Sequence, residues 1–287
     1  MSVMAPFGVR LQEAVDRHGP LCVGIDPHPE LLRSWDLCDD IRGLRAFAEA
    51  AVEAFSGNVA VVKPQSAFFE RFGSDGVEVL EDTLAALKEE GTLSLLDVKR
   101  GDIGSTMQAY ATAYLGDCSP LAADAVTLSP YLGFESLRPA YDLAAQHGRG
   151  VFVLSLTSNP EARSLQHAQA ERQSIAGAVI ESVGGLNADE GGDARWGSFG
   201  VVIGATVGDA LHHLRLIEPL VASRAPVLAP GMGAQGATAE SIRRTFGDAV
   251  GQVLPTTSRA VLSAGPSVRR LRDAVLQAQE DVAGLRP

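Results

Sequence analysis

Asp97, Lys99 and Asp102 follow an apolar run at residues 93–96, in the stretch Asp97-Val-Lys-Arg-Gly-Asp102, so two carboxylates bracket an ammonium at the end of an expected strand. Residues i and i+2 of a strand share a face, so Asp97 and Lys99 project together, and Gly101 is expected to let the chain turn and bring Asp102 back toward them. Such a triplet holds charge close to a ligand. Two carboxylates at this spacing are also hard ligands for a divalent cation, but the ammonium between them already neutralises them, and a metal would compete with it. The histidines add no metal spacing: His212 and His213 are adjacent on an expected helix and the other four are scattered.

Two further charges end neighbouring expected strands, Asp26 the first and Lys63 the second, so three consecutive strands deliver alternating charges to one side of a common mouth. A second constellation is Gly231-Met-Gly-Ala-Gln-Gly236, between an expected strand at 226–229 and a helix from about Thr238. It is spelled like a dinucleotide fingerprint, but that reading needs an acidic residue about 20 residues on, at the end of the next strand. That strand ends instead in Pro255-Thr-Thr257. What remains is a glycine loop that lets backbone donors approach an anion near a helix N-terminus, with Gln235 and Arg259 available to a phosphate. A third group, Ser155, Thr157 and Ser158, sits at the end of the fifth strand, where hydroxyls either read a polar heterocycle or cap the strand.

The elements that must carry these groups are legible as an alternation. Six short apolar runs end at proline, at Asp26-Pro27, Lys63-Pro64, Ser129-Pro130, Asn159-Pro160, Ala229-Pro230 and Leu254-Pro255. Proline has no ladder donor and is expected to end each strand. Runs at 93–99 and 199–206 bring the expected strands to eight. Helical stripes fill the intervals: Leu44, Phe47, Ala51 and Phe55; Val77, Leu80, Leu84 and Leu87; Leu211, Leu214 and Ile217; Val268, Leu271 and Val275. Strands apolar on both faces suit a parallel sheet covered by helices. Eight such units predict an α/β fold, a (β/α)8 TIM barrel, as one domain over 1–287, with an open doubly wound sheet as the rival. Residues 7–17 predict an extra N-terminal helix that closes the barrel's bottom, and 184–198 reads as a polar surface-loop insertion.

Composition narrows the class. The chain has 287 residues, 46% hydrophobic and 21% charged, as expected of a soluble globular enzyme. A net charge of −11, with no lysine or arginine stripe, argues against a nucleic-acid partner. Cys22, Cys38 and Cys118 are odd in number and widely spaced, which indicates neither disulfides nor a zinc site and suits a reducing cytoplasm. The N-terminus lacks a basic-then-apolar segment and no apolar run approaches the ~20 residues that span a bilayer, so neither secretion nor membrane insertion is expected.

Taken together, Val23-Gly-Ile-Asp26-Pro, Val62-Lys63-Pro, Asp97-Val-Lys99-Arg-Gly-Asp102-Ile103, Leu154-Ser-Leu-Thr-Ser158-Asn-Pro, Pro230-Gly-Met-Gly-Ala-Gln235-Gly and Ser258-Arg259 resemble the orotidine 5'-phosphate decarboxylase family along essentially the whole chain. The DxKxxD signature is shared with related sugar-phosphate enzymes; Lys63 and the Gln235 loop point to the decarboxylase. The resemblance implies conversion of orotidine 5'-phosphate to uridine 5'-phosphate and carbon dioxide in pyrimidine synthesis, with no cofactor and no metal. It implies Lys99 as proton donor, with Lys63, Asp97 and Asp102 completing the charge network. Asp26 and Lys63 would touch the ribose, Ser158 the pyrimidine, and Gln235 and Arg259 the phosphate. Asp102, Ile103 and Thr106 would reach into a partner subunit's site, making a homodimer with shared active sites. Gly104-Ser105-Thr106 stands where Pro-Asn-Thr is frequent, and with the 184–198 insertion this suggests a divergent bacterial-type branch. Two other readings stay open: a magnesium-dependent sugar-phosphate decarboxylase or aldolase on the same barrel, and a phosphate-ligand binding protein without turnover.

Overall fold

Runs that are apolar on both faces cannot leave either face in water, and here they close on themselves. Strands β1 (Cys22–Ile25), β2 (Val61–Pro64), β3 (Leu93–Arg100), β4 (Ala125–Leu128), β5 (Gly150–Leu156), β6 (Phe199–Ile203), β7 (Val227–Pro230) and β8 (Val253–Thr257) are all parallel, each paired with its neighbours in sequence. β8 pairs back onto β1 through Cys22 opposite Thr256, so the sheet is a closed (β/α)8 barrel rather than an open doubly wound sheet. The structure is a computed structural model and describes residues 4–170, 173–192, 194–233 and 236–285. Among these, no helix is long and apolar enough to cross a membrane.

Proline does not end every strand. Pro64 and Pro230 are the last residues of β2 and β7, but Pro255 lies inside β8. The β1–β8 ladder begins at Thr256, so the donor that proline lacks falls just before the first paired residue. One expected helical stripe also divides. Leu211 belongs to a helix Ala210–His213 and Ile217 to a second, Ile217–Ala222, with Arg215 between them at φ +57, a left-handed conformation that no helix continues through.

The barrel's bottom is filled as expected. The helix Phe7–His18 buries Phe7, Leu11 and Val15 against the inward-facing Cys22, Val61, Leu95, Phe152 and Leu254. The Phe7 ring meets Phe152 edge-on at 6.1 Å, in space that exists because residue 150 is glycine: a Cβ there would collide with the Phe7 ring. Arg10 pins the helix to the barrel through Asp124 at 2.5 Å, which also accepts from the Ser94 N–H at 2.9 Å.

The stretch 184–198 is not a loop insertion. Its first half completes the helix Ile175–Glu190, where Leu186 and Asn187 are buried. Asn187 donates to the Phe199 and Ser223 carbonyls at 2.8 and 3.0 Å and accepts from the Phe199 N–H, so its amide is satisfied inside the core. Trp196, 1% exposed, joins the plug at the bottom, and Ser198 donates its N–H to Glu190 and accepts from the Gly8 N–H. Asn187, Glu190 and Ser198 pack here because each finds a backbone partner, a property that composition does not display.

Candidate active site

Asp26, Lys63, Asp97 and Lys99 stand at or just past the C-terminal ends of β1, β2 and β3, the end of such a barrel that carries function. The two lysines converge on one carboxylate. Lys99 Nζ lies 2.6 Å from Asp97 Oδ1, and Lys63 Nζ lies 3.3 Å from Asp97 Oδ2 and 3.8 Å from Asp26 Oδ1. Lys63 and Asp97 are buried, at 5% and 8% exposure. Asp26 Oδ1 is buried without a hydrogen-bond partner and faces the Lys63 ammonium.

Burial alone would discharge this array. Desolvation disfavours the Lys63 ammonium, but the Asp26 and Asp97 carboxylates overcome it and hold its pKa above the ordinary lysine value. Desolvation likewise pushes Asp97 up, and the two lysines together with the Lys99 and Thr127 hydrogen bonds pull it down to about 2. Cys22, beneath Lys63, is held as a neutral thiol because burial pushes it up to about 12.

Asp97 is therefore ionised from about pH 4 upward, and it gives stability that is complete above its ordinary 3.8 and lost as pH falls toward 2. Urea unfolding is expected to show on the order of 2 kcal/mol less stability at pH 2 than at pH 5 from this group, a loss that Asp97→Asn removes from the profile. Lys63 acts in the opposite sense: its contribution is complete below the ordinary 10.5 and is lost only as pH rises past that value.

Two side chains that sequence reasoning missed complete the hold on Asp97. Thr127 donates to Oδ1 at 2.7 Å and accepts from the Lys99 N–H at 3.0 Å. Gln65, with its amide nitrogen turned inward, donates to Oδ2 at 2.6 Å. A threonine in Ala-Val-Thr-Leu reads as an ordinary strand former, so only the paired structure reveals it.

Asp26, Lys63, Gln65, Asp97 and Lys99 form one wall of a cavity of about 420 Å³. Ser158, Gly204, Met232 and Arg259 line other parts of it. Arg259 is exposed at the start of a helix after β8 and, among the described residues, pairs with no carboxylate. Gly231 and Gly233 both take positive φ, +125 and +73, and the loop closes through the Gly236 N–H donating to the Gly233 carbonyl at 2.8 Å. The helix Ala239–Phe246 that follows opens on a Thr238–Ser241 capping box, which satisfies the Thr238 and Ser241 N–H groups. Gln235 lies outside the described residues. The hydroxyls of the fifth strand separate: Ser158 and Thr157 line the cavity, whereas Ser155 turns outward and donates to the Ala176 carbonyl at 3.0 Å.

Asp102 does not turn back to Lys99. Gly101 is pressed against β4, where a Cβ would collide with the Ser129 carbonyl, and the Ser129 N–H donates to the Arg100 carbonyl at 2.7 Å. This clamp sends the chain outward into the helix Gly104–Leu115. The Asp102 carboxylate accepts from the Ile103 N–H at 2.8 Å and lines no part of its own chain's cavity, while Ile103, 60% exposed, and Thr106 face solvent.

A closed (β/α)8 barrel that lifts a lysine–carboxylate array and a glycine–arginine corner to its C-terminal mouth defines an enzyme barrel built for a small anionic ligand. Residues 19–274 match the model of the Orotidine 5'-phosphate decarboxylase / HUMPS family, and the chain belongs to it. It is 56% identical over 272 residues to orotidine 5'-phosphate decarboxylase of Salinispora tropica, covering 94% of this chain and 95% of that protein. The enzyme of the same name from Streptomyces coelicolor is 52% identical over 272 residues, covering 94% of this chain and 95% of that protein. A crystal structure from Streptomyces avermitilis assigned to the same enzyme superposes with a TM-score of 0.92 at 50% identity, covering 99% of this chain and 97% of that one.

Proposed function

We propose that the protein decarboxylates orotidine 5'-phosphate to uridine 5'-phosphate and carbon dioxide, the step that completes pyrimidine nucleotide synthesis. The observation that carries this reading is the Lys63–Asp97–Lys99 array, in which buried Lys63 and Asp97 and the more exposed Lys99 meet on one wall of a cavity that Arg259 also lines. The bond between ring carbon C6 and the carboxylate breaks, its electron pair stays on C6, and Lys99 delivers a proton there and regains one from solvent. A fixed ammonium beside the forming carbanion stabilises it without reorganisation, because the site is already polarised before substrate enters. Asp97 faces the departing carboxylate and also holds Lys99 at 2.6 Å. Asp26 and Lys63 receive the ribose, Ser158 the pyrimidine, and Gln235 and Arg259 the phosphate.

The donor set does not suit a divalent cation. Both Asp97 oxygens are already taken, Oδ1 by Lys99 and Thr127 and Oδ2 by Lys63, so the magnesium-dependent reading would have to displace two ammonium groups. Asp102, Ile103 and Thr106, turned away from their own cavity, are placed to complete a second subunit's site in a homodimer. Cys38 and Cys118 are exposed and unpaired, which favours a reducing cytoplasm.

The test follows the ultraviolet change as purified protein meets orotidine 5'-phosphate, with and without chelator. Turnover indifferent to chelator is expected; turnover abolished by chelator favours the magnesium-dependent reading, and none favours simple phosphate binding. In the same assay Arg259→Ala is expected to raise KM by about ten- to a hundred-fold, the scale of one lost charge-assisted hydrogen bond to phosphate.

A further inference from the structure

β3 and β4 fall out of step beside the array. Leu96 stands opposite Val126 and Arg100 opposite Leu128, so Asp97, Val98 and Lys99 together face Thr127 alone. An irregularity of this kind interrupts the backbone ladder, and the groups it frees need other partners. Here the partner is one hydroxyl. Thr127 is fully buried; its Oγ1 donates to Asp97 Oδ1 at 2.7 Å and accepts from the Lys99 N–H at 3.0 Å. Lys99 itself sits at φ +46, a left-handed conformation that costs a residue with a Cβ and persists only where its surroundings impose it.

We propose that Thr127 is a positioning residue for the proton transfer: its hydroxyl fixes the Asp97 carboxylate and the left-handed backbone of Lys99 at once, and so sets where the ammonium points. The proposal rests on the decarboxylase reading of the site. A hydroxyl has one proton to give and lone pairs to receive, so it can serve both partners simultaneously, which a methyl group of the same shape cannot. Thr127 lines no part of the cavity, so its influence on the reaction passes through Asp97 and Lys99.

Thr127→Val keeps the β-branched shape and removes the hydroxyl; Thr127→Ser keeps the hydroxyl and removes the methyl. Thr127→Val is expected to lower kcat by about ten- to a hundred-fold, the scale of one charge-assisted hydrogen bond, with KM for orotidine 5'-phosphate and affinity for uridine 5'-phosphate within about threefold of the parent. Thr127→Ser is expected to restore kcat to within about threefold. Hydrogen exchange provides a readout that does not depend on turnover: the Lys99 amide should exchange at least about tenfold faster in Thr127→Val and retain its protection in Thr127→Ser. Equal Lys99 protection in both variants overturns the proposal, as does a loss of kcat and product affinity that is the same in both. If the parent protein fails to decarboxylate orotidine 5'-phosphate, the functional reading falls, while the exchange contrast still decides whether Thr127 holds Lys99.

Discussion

Lys99→Ala is expected to lower kcat/KM for decarboxylation by at least about 10⁴-fold, since it removes both the proton donor and the cation beside the forming carbanion, two effects worth about 10²–10⁴ and 10²–10³. Uridine 5'-phosphate should still bind within about tenfold of the parent, because the groups proposed to receive the ribose and the phosphate are untouched. Alanine keeps a Cβ, so the left-handed backbone at this position is no easier or harder to hold than with lysine. Lys99→Arg separates the two roles. It restores positive charge but not a group that gives up a proton, so it should regain at most the roughly 10²–10³ of the charge and stay at least about 10²-fold below the parent. Recovery of most activity in Lys99→Arg would show that charge alone suffices.

Asp97→Ala is expected to be the most costly change to the site's own integrity. It leaves the buried Lys63 with only Asp26, 3.8 Å away, and removes the acceptor that separates two ammonium groups. Breaking a buried ion pair from one side typically costs about 3–5 kcal/mol, so the urea midpoint should fall markedly and activity should be lost with it. Asp97→Asn preserves the shape and can still accept from Thr127, so it should recover part of the stability while remaining inactive. A stable, inactive Asp97→Asn beside an unstable Asp97→Ala would separate the carboxylate's chemical role from its structural one.

The charges of the site were readable because two simple regularities place them: period two along β3 sets Asp97 and Lys99 on one side, and strand order sets Lys63 and Asp26 next to them. The bottom plug was readable from the apolar stripe of residues 7–17. Failures occurred where tertiary contacts override local signals. Gly101 looked like a hinge that would return Asp102, but the Ser129 backbone clamps it and directs the chain outward. The Gly184-Gly185 pair and acidic neighbours disguised the end of a packed helix whose asparagine is satisfied by strand and loop carbonyls from elsewhere in the chain. Thr127 and Gln65 carry no motif at all, because their importance arises from a register shift between strands and a bridge from Gln65 to Asp97.

The central claim is that the electron pair left by carbon dioxide on C6 is captured as a proton delivered by Lys99. Turnover of orotidine 5'-phosphate in deuterium oxide, followed by mass and NMR analysis of the product, tests it most directly. The account predicts uridine 5'-phosphate carrying one deuterium at C6, formed equally with and without chelator, and none formed by Lys99→Ala. Product with protium at C6, or deuterated product formed at an undiminished rate by Lys99→Ala, would contradict it.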